Sequence, residues 1–336
     1  MSQKLIGLED LPDNFRVGVE ENFRRELFRK ATEKIGKVVK LAEELRCHTD
    51  TILNLKKRKS FLKIEHLRKL SEITKTPLDK IEKHLIELKT RDRKRKVKIK
   101  LPIFASPELA SLIGHSMGDG NLSERQFSFF NKQRELVDEV IKNVKIAFST
   151  DVEPIEFEKG ECWEVEFPTC IARLIALVGG PIGKKVFLSF KVPEWIKNGD
   201  DQIKIAFVRA LFDDEGWIKV KFIRQSSSTQ RMIGINMAKN GKFVKEHKLF
   251  LEEIRKILLD LGITSSEIKE MGKTKNGVSM GFTISNLVNL KKFLTTIGFN
   301  QKIKHKKLMD TLNNSKRFHE LFPNESLIST KSLFKV

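Results

Sequence analysis

Two acids stand at matched places in this chain. Asp119 lies between Gly118 and Gly120 in SLIGHSMGDGN (111–121), and Glu215 precedes Gly216 in FVRALFDDEGW (207–217), 96 residues later. Both follow apolar runs with helical spacing, so each acid falls at a helix C-terminus, where the dipole is already negative. Two carboxylates brought together there raise each other's pKa. A divalent cation removes the penalty. Carboxylates plus free helix-end carbonyls make an all-oxygen site suited to Mg²⁺ or Mn²⁺, with water and phosphate oxygens as the remaining ligands. A single Asp-Gly reads as an ordinary turn; the duplicated placement points to a shared metal site.

The flanking sequence supplies the elements that must hold these acids. Ser106-Pro107-Glu108 is a helix start, with a capping hydroxyl and proline at the first helical position. Gly114 inside that helix costs roughly 1 kcal/mol against alanine, which is understandable if another backbone approaches. Asp200 or Asp201 can cap the second helix, and Ala206 and Ala210 give it small residues. Helices of this kind pack closely and bring their ends together. Beyond them the pattern repeats as helix–strands–helix–strands–helix: FSFF, ELVDEVIKNVKIAF, WEVEF and CIARLIALVG first, then IKVKFI with IGINM, EHKLFLEEIRKILLDLG, SMGFTI and NLVNLKKFLTTIG.

With 336 residues, 40% apolar, the chain can bury a sizeable core in two or three domains. Net charge is +20, from 64 Lys and Arg against 44 Asp and Glu, which favours a polyanionic partner such as nucleic acid. A thermophile-like Lys/Glu surface is the alternative source of that charge. Cys47, Cys162 and Cys170 have neither disulfide nor zinc spacing, and the seven histidines are scattered. MSQKLIGLED has no signal-peptide run, and CIARLIALVGG is short of the ~20 apolar residues of a membrane span. The expectation is a soluble, cytoplasmic protein with no membrane partner.

Residues 1–90 read as wholly helical: FRRELFRKATEKI ending at Gly36, VVKLAEELR, TDTILNLKKRK, IEHLRKLSEI, and PLDKIEKHLIEL opened by Thr76-Pro77. Residues 91–100, RDRKRKVKIK, then form a basic stretch, either a hydrated linker or a phosphate-contacting arm.

LIGHSMGDG and VRALFDDEG resemble the paired LAGLIDADG motifs of single-chain homing endonucleases of the archaeal, intein-associated type, over roughly residues 101–312. The resemblance implies an α+β fold: a pseudo-twofold pair of αββαββα units, 101–199 and 200–320, forming a saddle of strands along DNA, with a tail at 321–336. It implies that Asp119 and Glu215 bind metal, with the backbone carbonyls of Gly118 and Asp214 as co-ligands. The implied chemistry is metal-assisted hydrolysis of both DNA strands. The similarity of GKKVFLSFKVPEWI and IGFNQKIKHKKL to the family's lysine segments points to Lys185 and Lys304, with Lys184, Lys191, Lys302 and Lys306 close by as alternatives. His115, Ser116 and Met117 depart from the motif's consensus. Ser2 and Val336 lack intein-splicing residues, so a free-standing protein is expected.

LAEELRCHTDTILNLKKRKSFLKIEHLRKLSEI is similar to the helix-turn-helix of phage repressors, with Arg46 at the usual turn glycine. That similarity directs His48, Thr49, Asp50 and Asn54 towards base edges, and Lys56, Lys57, Arg58 and Lys59 towards phosphates. A small helical bundle with a solvated basic face is the alternative. In the saddle, IKVKFIRQ (218–225) alternates to put Lys219, Lys221 and Ile223 on one side, with Arg224 and Arg231 nearby. The expected function is a monomeric, nucleoid-associated, Mg²⁺-dependent endonuclease that cuts double-stranded DNA at an asymmetric site. Alternatives are a WhiA-like regulator that binds without cutting, and a maturase whose partner is RNA.

Overall fold

The computed structural model describes residues 3–57, 61–90, 95–224, 228–275 and 277–323, with the backbone alone at Lys57. The first repeat runs α6 (Pro107–Met117), β6 (Asn121–Leu122), β7 (Phe127–Asn131), α7 (Arg134–Ala147), β8 (Ile155–Lys159), β9 (Cys162–Phe167) and α8 (Thr169–Leu177), then the short α9 (Glu194–Lys197). The second runs α10 (Asp201–Glu215), β10 (Gly216–Ile223), β11 (Ser228–Lys239), α11 (Val244–Asp260), β12 (Lys269–Thr274), β13 (Gly277–Ile284) and α12 (Leu287–Thr296), then α13 (Lys302–Asn313) and α14 (Lys316–Leu321). Each is αββαββα. Both antiparallel sheets have the same strand order, β6-β7-β9-β8 and β10-β11-β13-β12.

The helices start where capping chemistry dictates. Ser106 Oγ accepts from Leu109 N at 3.2 Å with Pro107 behind it, and Asp200 Oδ1 accepts from Ile203 N at 3.0 Å. α6 is buried from Leu109 to Met117 because α10 lies along it. A Cβ on Gly114 would stand 2.7 Å from the Phe207 carbonyl oxygen and 2.8 Å from Ala210 Cβ, so the glycine is what lets the helices touch.

The N-terminal region departs from the all-helical expectation. α1 (Glu21–Ile35), α2 (Val38–Glu44), α3 (Thr49–Lys57), α4 (Ile64–Thr74) and α5 (Leu78–Glu82) form, but with strands among them: β1 (Lys4–Ile6), β2 (Phe15–Val19), β3 (Leu62–Lys63) and β4 (Leu85–Thr90). PLDKIEKHLIEL is therefore not one helix, since its last residues become β4. β2 is the centre of a β3-β2-β4 sheet, and β1 pairs with β5 (Ile103–Phe104) just before α6. The region is α+β. Arg46 takes the left-handed conformation expected of a turn glycine, φ 48°, between α2 and α3.

The described part of the basic stretch, 95–100, is not a free linker. Val97 pairs with Leu88 and Val97 and Ile99 are buried, while Lys98 meets Asp151 at 3.0 Å and Arg95 bonds the Glu153 carbonyl. These contacts dock the N-terminal region on the first repeat. Residues 91–94, and the tail from 324, lie outside the described residues. Among the described residues no helix is long and apolar enough to cross a membrane.

Candidate active site

Asp119 and Glu215 lie half-buried at the adjoining C-terminal ends of α6 and α10. Burial pushes the Asp119 carboxyl up to about 6, aided by the charge of Asp214 and opposed by Lys185, Lys304 and His115. Burial, then the charge of Asp119, pushes Glu215 up to about 7, and Lys185 opposes it. The charge of Asp119 thus disfavours ionisation of Glu215, as expected of duplicated acids at helix ends.

Each motif also receives one lysine from its own repeat. Lys185 Nζ donates to the Gly120 carbonyl at 2.7 Å. Lys304 Nζ donates to the Asp213 carbonyl, with Phe212 O at 3.2 Å and Asp214 O at 3.5 Å. Burial lowers the pKa of both, against the pull of the acids. The neighbouring candidates Lys184, Lys191, Lys302 and Lys306 are all exposed, and Lys302 pairs with Glu135.

His115, Asp213 and Lys239, to which sequence reasoning gave no role in the site, hold this arrangement together with the carboxylate of Asp214, a residue expected to lend only its backbone carbonyl. The Asp214 carboxylate is fully buried between the helices, with His115 Nδ1 at 3.0 Å and the Asp119 amide donating to it at 3.0 Å. Asp213 accepts from Asn300 N at 3.1 Å and Gln301 N at 3.0 Å, which fixes the start of α13 and with it Lys304. Lys239, 2% exposed at the end of β11, reaches into the opposite repeat. Its Nζ donates to the Lys185 and Leu188 carbonyls and lies 3.7 Å from the Phe190 ring centre. Asn240 N donates to Val186 O at 2.9 Å beside it. The signal for His115 and Asp214 was present as departures from apolar and small positions; Lys239 had none, because its partners are backbone carbonyls.

The donor set suits Mg²⁺ or Mn²⁺: two carboxylates that lack full charge compensation, with helix-end carbonyls beside them. Asp214 can offer only its carbonyl, since its carboxylate is bonded to His115 and Asp119 N. Among the described residues there is no group of three or more His, Cys, Asp or Glu side chains placed to hold a metal. Gly118 is a point of contact as well as a candidate ligand: a Cβ there would lie 2.4 Å from Asp214 Oδ2.

The candidate nucleic-acid residues divide. Lys219, Lys221 and Arg224 are exposed on or next to β10. Arg231 is a correction: it pairs with Val220, and residues directly opposite share a face, so it points away from Lys219 and Lys221. It bonds the Thr311 and Asn314 carbonyls at 3.0 Å, at the end of α13. In α3, Asn54 is exposed and Thr49 half-buried, but Lys56 is turned inward to Thr32 Oγ1 at 3.1 Å. Arg58, Lys59 and the Lys57 side chain lie outside the described residues.

Residues 202–298, almost all of the second repeat, match the sequence model of the LAGLIDADG-like domain. The chain is 29% identical over 208 residues to the tRNA-splicing ligase RtcB of Methanopyrus kandleri, covering 57% of this chain and 20% of that protein. It is 26% identical over 313 residues to the isomerizing glutamine–fructose-6-phosphate aminotransferase of Methanocaldococcus jannaschii, covering 89% of this chain and 25% of that one. The chain thus spans a fifth to a quarter of these relatives. Among solved structures, the homing endonuclease I-DmoI in complex with DNA and Mn aligns with TM-score 0.39 and 16% identity over 57% of this chain and 97% of that one. Full-length WhiA from Thermatoga maritima aligns with TM-score 0.38 and 18% identity over 68% and 64%.

Proposed function

We propose that this protein is a metal-dependent endonuclease that hydrolyses phosphodiester bonds in both strands of double-stranded DNA at an asymmetric site. The observation that carries the reading is the duplicated site: an acid at the end of each of two touching helices, each helix end met by a half-buried lysine of its own repeat. A divalent cation bound there would supply activation of water and stabilisation of the leaving 3′ oxygen. Asp119 and Glu215 would hold it, with the Gly118 and Asp214 carbonyls as further oxygen ligands. Lys185 and Lys304 place one positive charge beside each scissile phosphate. The surplus of Lys and Arg favours a polyanion, and α3, with Thr49 and Asn54, is a second candidate contact. The relatives carry unrelated names yet match over a minor part of their length, which supports a module independent of those activities.

The test is incubation with a randomised DNA library and Mg²⁺, followed by sequencing of cut ends. A recurrent cut site is expected. Asp119→Asn and Glu215→Gln should abolish cutting while retaining duplex binding. Binding without cut ends from the parent chain would instead assign a DNA-binding regulator, and full cutting by both variants would remove these acids from the mechanism.

A further inference from the structure

The two repeats share a fold but not a surface. Residues 101–199 hold 11 Lys and Arg against 14 Asp and Glu, whereas residues 200–320 hold 23 against 13. Of the two repeats, only the second therefore carries a net positive charge.

The strand registers allow a position-by-position comparison. Leu122 pairs with Phe127 and Phe127 with Phe167 in the first sheet; Ile218 pairs with Ile233 and Ile233 with Ile284 in the second. All six side chains are buried on the helix-covered face, which aligns the sheets. On the opposite, open face, Phe130 then corresponds to Asn236, Glu164 to Gly281 and Glu166 to Thr283. Through the outer strands, Phe157 corresponds to Lys269. The second sheet's open face carries Lys219, Lys221, Lys269 and a hydrogen-bonded chain, Trp217 Nε1 to Asn236 Oδ1 at 2.6 Å and Asn236 Nδ2 to Ser279 Oγ at 2.9 Å. These are phosphate and base-edge partners. The first sheet offers carboxylates and exposed phenyl rings, Phe130 at 43% and Phe157 at 38%, and its Lys159 lies over the Phe157 ring paired with Glu164, so a phosphate there would compete with a carboxylate for that cation.

Length reinforces composition. β10 has eight residues and β11 twelve, whereas β6 has two and β7 five. At about 3.3 Å per residue β10 alone runs roughly 26 Å, the length of about seven or eight base pairs. The first hairpin is too short for a comparable track.

We propose, resting on the endonuclease reading, that the duplex is held asymmetrically: the open face of the second sheet carries the contacts along the DNA, and the first repeat contributes Asp119 and Lys185 at the junction but no matching track. One consequence is that, once both strands are cut, the DNA end under the second repeat stays bound while the other leaves first.

The experiment uses the full chain with the photo-crosslinker benzoylphenylalanine at Gln230, on the second open face, or at Phe157, on the first. Each variant is irradiated with a labelled mixed-sequence duplex in metal-free, low-salt buffer, after its thermal melt is matched to the parent. The expected result is at least about tenfold more crosslinking from Gln230, lost as salt rises. Equal yields, more from Phe157, or none at either position while the parent still retards the duplex would overturn the asymmetric arrangement alone. No retardation of the duplex by the parent chain would overturn the nucleic-acid reading and this inference with it.

Discussion

His115 in α6 and Asp214 in α10 form an ion pair across the helix junction, Nδ1 to Oδ2 3.0 Å, with neither side chain exposed to solvent. In the repeat alignment Asp214 stands where the first motif has Gly118, and His115 stands where the second has Leu211. A carboxylate at a position meant for a small residue is thus accommodated by a glycine and a cation from the opposite helix. The Asp119 amide completes its hydrogen bonding. Asp214 ties the backbone of one candidate metal ligand, Asp119, to the helix that carries the other, Glu215.

Gly118→Ala should break this arrangement, because the new methyl would stand 2.4 Å from Asp214 Oδ2. Overpacking of this kind costs about 1–3 kcal/mol. The measurement is a double-mutant cycle by chemical denaturation with Asp214→Gly, because the Asp214 Cβ would itself stand 2.6 Å from the new methyl. The methyl should cost much less once that side chain is gone; an equal cost in both backgrounds would mean the clash is not with Asp214.

The same pair makes stability depend on pH. Burial opposes charge on His115, but Asp214, by charge and hydrogen bond, outweighs it and raises the ring to about 9. A group whose pKa rises on folding contributes fully below its unfolded value, near 6.5, and that contribution is lost as pH rises through about 9. Lys239, lowered to about 8 by burial and by the charge of Lys185, acts in the opposite sense, so the parent alone is ambiguous. The stability gap between the parent and His115→Gln should shrink steadily from pH 6.5 to 9.5. A constant gap would show that His115 is neutral in the folded chain. Asp214→Leu, which leaves an uncompensated histidine instead of an unpaired carboxylate, should cost about 3–5 kcal/mol below pH 6.5 if the imidazolium remains charged.

Metal should stabilise the fold in a pH-dependent way. Without a cation, the raised pKa values of Asp119 and Glu215, about 6 and about 7, mean that their favourable contribution is present at low pH and lost as pH climbs from about 4 through 7. A bound divalent cation needs both ionised. The rise in Tm on adding millimolar Mg²⁺ should therefore be small at pH 5.5 and full above pH 7.5, following mass action. Asp119→Asn should remove it at every pH; an undiminished shift in that variant would place the cation elsewhere.

The two repeats were readable in the sequence because amphipathic period and caps are local: Ser106-Pro107 and Asp200 begin helices as their chemistry requires. The acids stood out as candidates because duplication repeats a pattern. Where sequence reasoning failed, the deciding partner was distant. β2 and β4 pair residues 15–19 with residues 85–90, and no local period announces that. Val97 and Ile99 were hidden among lysines, which alternate with them as on any half-buried strand. Arg231 depended on register, since one step along a strand changes the face. His115 and Asp214 were visible as exceptions, but only the helix packing shows that each explains the other.

Lys239 supplies the test that separates the two halves of the site. Its ammonium crosses from the second repeat to hold the Lys185 and Leu188 carbonyls, with Phe190 beneath it and no carboxylate bonded to it among the described residues. Lys239→Met keeps the length and apolar packing but removes those donors, leaving the segment around Lys185 to shift. Misplacement by about 1 Å can slow a reaction about a hundredfold. Lys304 is fixed independently through Asp213 and α13. If the endonuclease reading is right, Lys239→Met should slow hydrolysis of the strand served by Lys185 at least about tenfold more than that of the other. Nicked duplex should accumulate, and Lys239→Arg should partly restore double-strand cutting. Equal slowing of both strands, read on strand-labelled duplex, would show that Lys239 supports the fold as a whole rather than the position of Lys185.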